Sequence, residues 1–218
     1  MHRTYPIGIR LEGRRALLVG AGVVGAQKAP GLIAAGADLH VVSPDLHPRL
    51  HDAAAKGRLT WHQRVFHDDD IKGAFVVVAA TNFPEVNRRV FELCDAAGKL
   101  VNVVDDIPLC NFFVPAVAES GPVQVAISTG GSSPVLAGQL RRRIQAELLG
   151  PETGELAEWI GIWRERLKQQ LGDFETKKRF WNEVVDSDIP DLIAQGKRSE
   201  AEARLHQILN SYTLAATG

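Results

Sequence analysis

Cysteine is scarce in this chain. Two in 218 residues, Cys94 and Cys110, with no CxxC spacing, exclude a disulfide framework and a zinc-finger pattern. Unpaired thiols suit a reducing, cytoplasmic setting. Charge of one sign is missing too: 25 Lys and Arg face 26 Asp and Glu, a formal net charge of -1. That balance speaks against a nucleic-acid or polyanion binder, which needs a basic surface. No apolar run approaches the roughly 20 residues of a membrane helix, and Met1 to Arg10 holds no apolar signal core. A soluble protein with no membrane partner is expected. Tyrosine occurs only as Tyr5 and Tyr212, neither with a lysine four residues on. The Tyr-x-x-x-Lys pair of short-chain dehydrogenases is therefore absent. The seven histidines, His2, His40, His47, His51, His62, His67 and His206, include no metal-binding pair at helical spacing. His47 and His51 stand four apart, but Pro48 disfavours helix at His47. All seven are read as surface or structural, and no metal site is expected.

What is present is a core and a rhythm. Hydrophobic residues make up 45%, an ordinary globular share, and the length allows one large domain or two modest ones. Four short apolar runs, Ala16–Val19, Leu39–Val42, Phe75–Ala80 and Leu100–Val104, alternate with helix-length segments such as Gly25–Ala35 and Val86–Ala97. β-branched runs so spaced predict parallel strands buried on both faces, in βαβ order. Further strands are expected over Phe112–Pro115 and Val123–Ile127. A helix is expected from Ser132-Ser133-Pro134, a capping start, to Gly150-Pro151. The last region reads as amphipathic helix, with Leu156, Trp159, Ile160, Trp163, Leu167, Leu171 and Phe174 at i, i+3, i+4, i+7 spacing. That aromatic stripe is expected to pack against the rest of the protein. The fold expected is α/β: a Rossmann-type parallel-sheet domain over 1–112, a small mixed domain over 113–149 and a helical domain over 150–218.

Gly20-Ala21-Gly22-Val23-Val24-Gly25 directly follows the first apolar run and opens a helix, the context in which GxGxxG marks a dinucleotide site. Gly20 allows the tight turn, Gly22 lets the pyrophosphate approach the backbone, and Gly25 lets the helix pack on the strand. The helix start offers free N–H groups and a partial positive charge. Pro30-Gly31 inside that helix costs about 3 and about 1 kcal/mol relative to alanine, and predicts a kink or a shortened helix. An acidic residue about 20 positions after the first glycine would bind the adenine ribose. Asp45, in Ser43-Pro44-Asp45, stands slightly beyond that, and NAD is favoured over NADP. The alternative for Asp45 is a turn residue.

Ligands of open α/β sheets lie at the carboxyl ends of the strands. There the third run ends in Ala79-Ala80-Thr81-Asn82, and the fourth carries Asn102 and leads to Asp105-Asp106. A carboxylate beside a nicotinamide can take the proton that accompanies hydride loss. That role is expected of Asp105, whereas Asp106 is expected to cap the following turn. Ser128-Thr129-Gly130-Gly131-Ser132-Ser133-Pro134, two glycines among hydroxyls before a helix, can form an anion-binding nest for an acidic substrate. Arg141, Arg142 and Arg143 on that helix are taken as solvated or as interface residues.

Four stretches in order, Leu18–Gly22, Ala79–Asn82, Asn102–Asp105 and Ser128–Ala137, with Arg179-Phe180-Trp181 beyond them, carry a family resemblance. Over about Tyr5 to Leu209 the chain resembles the precorrin-2 dehydrogenase/sirohydrochlorin ferrochelatase family, the N-terminal module of siroheme synthase. The resemblance implies NAD-dependent oxidation of the tetrapyrrole precorrin-2 to sirohydrochlorin. It also implies a homodimer with a central dimerisation domain, here 113–149, and a substrate cleft between subunits. The family's key aspartate falls on Asp105. Cofactor contacts fall on Gly20, Gly22, Val23, Val24, Ser43, Pro44, Asp45 and Thr81, and substrate contacts on Asn102, Ser128, Thr129, Gly130, Gly131 and Ser132. Some members also insert iron, and the sequence leaves that second activity open, with ferrous iron as its substrate. This chain has Gly25 where the family usually has alanine, Gln27 where it has arginine, and an unusual Pro30-Gly31 pair. It is too short for the methyltransferase domain of the longer synthases, so methylation of uroporphyrinogen is not expected. The competing class is a non-catalytic NAD-binding regulatory protein, which explains the glycine motif equally well but not Asp105 together with the Ser128–Pro134 segment.

Overall fold

Each apolar run of the first half becomes a strand, because its residues find cover on both sides of the sheet. The structure, a computed structural model, describes residues 4–214; His2 lies outside the described residues. The strands β1 (Arg15–Val19), β2 (Asp38–Val42), β3 (Thr60–His62), β4 (Val76–Ala79) and β5 (Leu100–Val103) form one sheet. Its order is β3-β2-β1-β4-β5 and every pair is parallel. The helices of this half are α1 (Val23–Ala34), α2 (His51–Ala55) and α3 (Pro84–Ala96). Period-two alternation sorts the strand residues. Ala16, Leu18, Val41, Val76 and Val78 cluster with Ala26 and Ala29 of α1. Leu17, Val19, Val77, Val101 and Val103 cluster with Val90 and Cys94 of α3. Each fully buried valine or leucine contributes roughly 1.5–3 kcal/mol, so the two-sided burial is what fixes these short strands.

α1 is not shortened. It runs unbroken through Pro30 to Ala34. Pro30 and Gly31 are both exposed, so the missing N–H falls on the water side, where a carbonyl can be hydrated.

The second half holds β6 (Ala116–Ser120), β7 (Val123–Ile127), α4 (Pro134–Glu147), α5 (Pro151–Leu167), α6 (Phe174–Asp186), α7 (Ile189–Ala194) and α8 (Arg198–Leu214). β6 and β7 make an antiparallel hairpin. The strand expected over 112–115 therefore lies at 116–120. Residues 110–112 instead return along the free edge of β5, where the Asn111 N–H donates to the Val101 carbonyl at 3.0 Å. The aromatic stripe packs as expected at Trp159 and Trp163, whose rings sit 6.0 Å apart in a core with Leu167, Leu171, Phe180 and Leu205. Phe174 departs from it and is 75% exposed. The helix stops at Leu167 and restarts with Asp173 accepting from the Thr176 N–H at 2.8 Å, so Phe174 opens a new helix instead of extending the old stripe.

The chain divides into two compact units between Val114 and Pro115. The expected boundary at 149/150 is bridged within the second unit. Ser120 Oγ donates to the Gly150 carbonyl at 2.7 Å and accepts from the Gly154 N–H at 3.1 Å, tying the hairpin to α5. Among the described residues no helix is long and apolar enough to cross a membrane.

Candidate functional site

The parallel registers set Val19 level with Val42 and Ala79, and Ala79 level with Val103. The chain leaves these strands at one height. Gly20 N–H donates to Val42 O at 2.9 Å, Ala80 N–H to Val19 O at 2.8 Å and Val104 N–H to Ala79 O at 2.9 Å. One sheet edge thus carries the glycine turn, Ser43, Thr81 and Asp105.

At the turn, Gly20 has φ +91°. A Cβ there would stand 2.7 Å from the Ala80 carbonyl oxygen and 2.9 Å from the Thr81 methyl carbon, so only glycine fits. A Cβ on Gly25 would run into the Gly20 carbonyl, which explains how α1 lies so close to the turn. Gly22 is exposed and a Cβ there would meet nothing. The first i→i−4 bond of α1 is Ala26 N–H to Gly22 O at 2.9 Å, and no side chain caps the helix. The N–H groups of Val23, Val24 and Gly25 are thus without helical partners and face an open approach. These donors, with the partial positive charge of the helix end, fit a pyrophosphate.

The Ser43–Asp45 segment is held against this turn by the His47 N–H, which donates to Ala21 O at 3.0 Å. Trp61 of β3, which sequence reading missed, donates its Nε1–H to Ser43 O at 2.9 Å. Ser43 is buried, while Pro44 and Asp45 are exposed. The Asp45 carboxylate has no hydrogen bond or ion pair among the described residues, which leaves it available to a ribose hydroxyl. Thr81 is gripped by Asn87 of α3, also missed. Its N–H and O–H both reach Asn87 Oδ1, at 3.2 and 2.7 Å, and Asn87 Nδ2 donates to Thr81 O at 3.0 Å.

Asp105 lies just beyond β5 with φ +62°, the one non-glycine residue at positive φ among the described residues. Its side chain is exposed and has no partner among them. Asp106 does stand at the cap position of the next turn, but its carboxylate caps nothing; the turn closes through its backbone carbonyl, 3.1 Å from the Leu109 N–H. Asn102 faces inward. Its Nδ2 donates to Phe112 O at 3.0 Å and to Cys110 Sγ at 3.4 Å, so the amide nitrogen of this expected substrate contact is engaged by the protein.

In the second unit, Gly130 and Gly131 have φ +60° and +82°. The loop's own hydroxyls take up most of the donors that the nest expectation left for substrate. Gly130 N–H goes to Ser128 Oγ at 3.2 Å and Ser133 N–H to Thr129 Oγ1 at 3.0 Å, while Ser133 Oγ caps α4 through the Leu136 N–H at 3.2 Å. Ser132 N–H turns back to Thr129 O at 3.1 Å. The Gly131 N–H and the exposed Ser132 hydroxyl remain. Arg143 pairs with Glu147 at 3.3 Å along α4.

Two concavities of the first unit, about 660 and about 330 Å³, share Arg64, Asp69 and Asp70, and neither is lined by a residue of the glycine turn. Their charges are already paired, Arg64 with Asp70, Lys72 with Asp69 and Arg89 with Asp68. The smaller one holds an unforeseen pair: His40 Nδ1 is 2.9 Å from His62 Nε2, and His40 Nε2 is 3.2 Å from Asp38 Oδ2.

A five-stranded parallel sheet in this order, with a glycine turn opening onto an uncapped helix, defines a dinucleotide-binding Rossmann domain. A family model for NAD(P)-binding matches residues 7–116, one for the sirohaem biosynthesis protein central region matches 120–147, and one for the sirohaem synthase dimerisation region matches 152–209. The chain belongs to the siroheme synthase family. It is 41% identical over 209 residues to the siroheme synthase of Photorhabdus laumondii, covering 96% of this chain and 44% of the relative. With that of Nitrosococcus oceani it shares 37% over 204 residues, covering 94% and 43%. The chain thus spans less than half the length of these relatives. Among solved structures, SirC, a precorrin-2 dehydrogenase, shares the fold with a TM-score of 0.77 at 24% identity, covering 94% of this chain and 100% of SirC. The dimerisation model falls on the helical region 152–209, whereas sequence reading gave dimerisation to 113–149.

Proposed function

We propose that this protein oxidises precorrin-2 to sirohydrochlorin with NAD in siroheme biosynthesis. The observation that carries the reading is Asp105: an unpartnered carboxylate in left-handed backbone, on the same sheet edge as the glycine turn. Gly20, Gly22, Val23, Val24 and Gly25 would hold the pyrophosphate, and Ser43, Pro44 and Asp45 the adenosine side, with Thr81 between them and Asp105. NAD, when bound, supplies the hydride acceptor. Asp105 takes the proton, so that each oxidation removes one hydride and one proton from the tetrapyrrole and yields NADH. Exposed backbone and hydroxyl at Gly131 and Ser132 are the donors we assign to substrate carboxylates, with Ser128, Thr129 and Gly130 shaping their loop. Membership of a family with a dimerisation region supports a homodimer, and two free thiols, Cys94 and Cys110, fit the cytoplasm. Should the chain also insert ferrous iron, Asp105 is the base available to remove pyrrole protons.

The test is an anaerobic assay with precorrin-2 and NAD that follows NADH absorbance, with Asp105→Ala beside the wild type. The wild type is expected to form NADH, and the variant to lose turnover by roughly 10²–10⁴-fold, the scale of a lost general base, while still binding NAD. A folded wild type that binds NAD and makes no NADH would move the regulatory reading to the front.

A further inference from the structure

The turn that carries Asp105 is closed from beneath by one thiol. Cys110 Sγ lies 3.1 Å from the Val103 carbonyl oxygen and 3.1 Å from that of Asp106. Its single proton is therefore shared between the two carbonyls that bracket Val104 and Asp105. Asn102 Nδ2 donates to the same sulfur at 3.4 Å. Amide, thiol and backbone form a chain in which each bond polarises the next. Asn111 anchors the segment from which the thiol projects: its Oδ1 accepts the Val101 N–H at 2.8 Å and its Nδ2 donates to Lys99 O at 2.8 Å. A left-handed backbone at a non-glycine residue costs roughly 1–2 kcal/mol and persists only where the surroundings over-determine it.

We propose that Cys110, backed by Asn102, is a positioning residue for Asp105 and sets the rate of the oxidation without setting cofactor affinity. The proposal rests on the reading of Asp105 as proton acceptor. A thiol donates only while protonated. Burial pushes the Cys110 thiol above its ordinary value; its bond to Val103 opposes that and the Asp106 charge adds to it. The donor is thus kept at neutral pH. The other cysteine, Cys94 of α3, is fully buried and makes no side-chain hydrogen bond among the described residues.

A double-mutant cycle tests it. Cys110→Ala should lower kcat by about tenfold, because a small misplacement of a reacting group costs one to two orders of magnitude. The Kd for NAD and the KM for precorrin-2 should stay within about twofold, since neither the glycine turn nor the Ser128–Ser132 loop is touched. Cys110→Ser, which keeps a donor in place, should recover most of the rate. In an Asp105→Ala background, Cys110→Ala should add nothing, the signature of a residue that acts through another. An equal loss in both backgrounds, or serine no better than alanine, overturns the proposal while leaving the dehydrogenase reading intact. If the wild type makes no NADH, that reading fails instead. Amide exchange at Asp106, whose N–H donates to Val103 O at 3.3 Å, then decides the clamp alone. Cys110→Ala should speed it about tenfold if the thiol holds the turn, and unchanged exchange would overturn the clamp.

Discussion

Gly20 and Asp105 both sit at positive φ, for opposite reasons. At Gly20 the backbone turns so sharply that a side chain would strike Ala80 and Thr81, and the residue type follows from geometry. At Asp105 a side chain is present, and on the proposal above the Cys110 thiol holds the backbone beneath it. The need for glycine was readable from sequence, because a turn before a helix maps a physical demand onto a residue type; a carboxylate at a strand end marked Asp105 as a candidate but not its left-handed backbone. Asn87 was not. Its value lies in three hydrogen bonds to Thr81 across a helix–strand junction, and no local pattern encodes them. We predict that Asn87→Ala raises the Kd for NAD about tenfold, equivalent to ~1.4 kcal/mol, in a fluorescence titration. An unchanged Kd would mean that Thr81 needs no such grip. At Asn102, a polar residue at a strand end invited a ligand role, and the structure shows its Nδ2 donating within the fold.

Elements were readable where apolar runs were long. β3 escaped because three residues cannot display a period. β6 was misplaced onto Phe112–Pro115, which is more apolar than Ala116–Ser120, although Gly121-Pro122 marks the hairpin turn that fixes the true strand. α1 kept its length through Pro30 by turning it to solvent. That proline still lacks its bond to Ala26. Pro30→Ala should therefore stabilise the first unit by about 1–3 kcal/mol and raise its Tm in calorimetry. The β2–β3 pair contains a titrating element. Burial, then the nearness of His40 and Arg64, holds His62 below its ordinary value of 6.5. The unfolded chain therefore binds this proton more readily than the folded one. Stability should be full above about pH 6.5 and fall as pH drops from there toward the folded value. Tm measured from pH 8 to pH 5 should show this slope, and His62→Gln should flatten it.

For the whole molecule, the texture of the sequence changes after Asp105 and the chain divides into compact units after Val114, where the parallel sheet gives way to a hairpin and helices. At 149/150, Gly150-Pro151 ends one helix and starts another, which sequence shows, whereas the Ser120 bonds that tie the hairpin to α5 are tertiary and have no local signal. The sheet order has a kinetic consequence. β1 pairs with β4, so Ala16 meets Val76 with α1, α2 and β2–β3 strung between them. Helices α5 to α8 pack on helices one or two places along the chain. Long loops must close before parallel pairing is rewarded, whereas local helical contacts form early. The second unit should thus be the first to finish folding. In stopped-flow refolding, variants that retain only Trp61 should report a phase slower than variants that retain Trp159, Trp163 and Trp181. A single shared rate would mean that the two halves fold as one cooperative body. If the phases separate, the cofactor edge is the last part of the molecule to assemble, and the apolar strands beneath it stay exposed to aggregation longest.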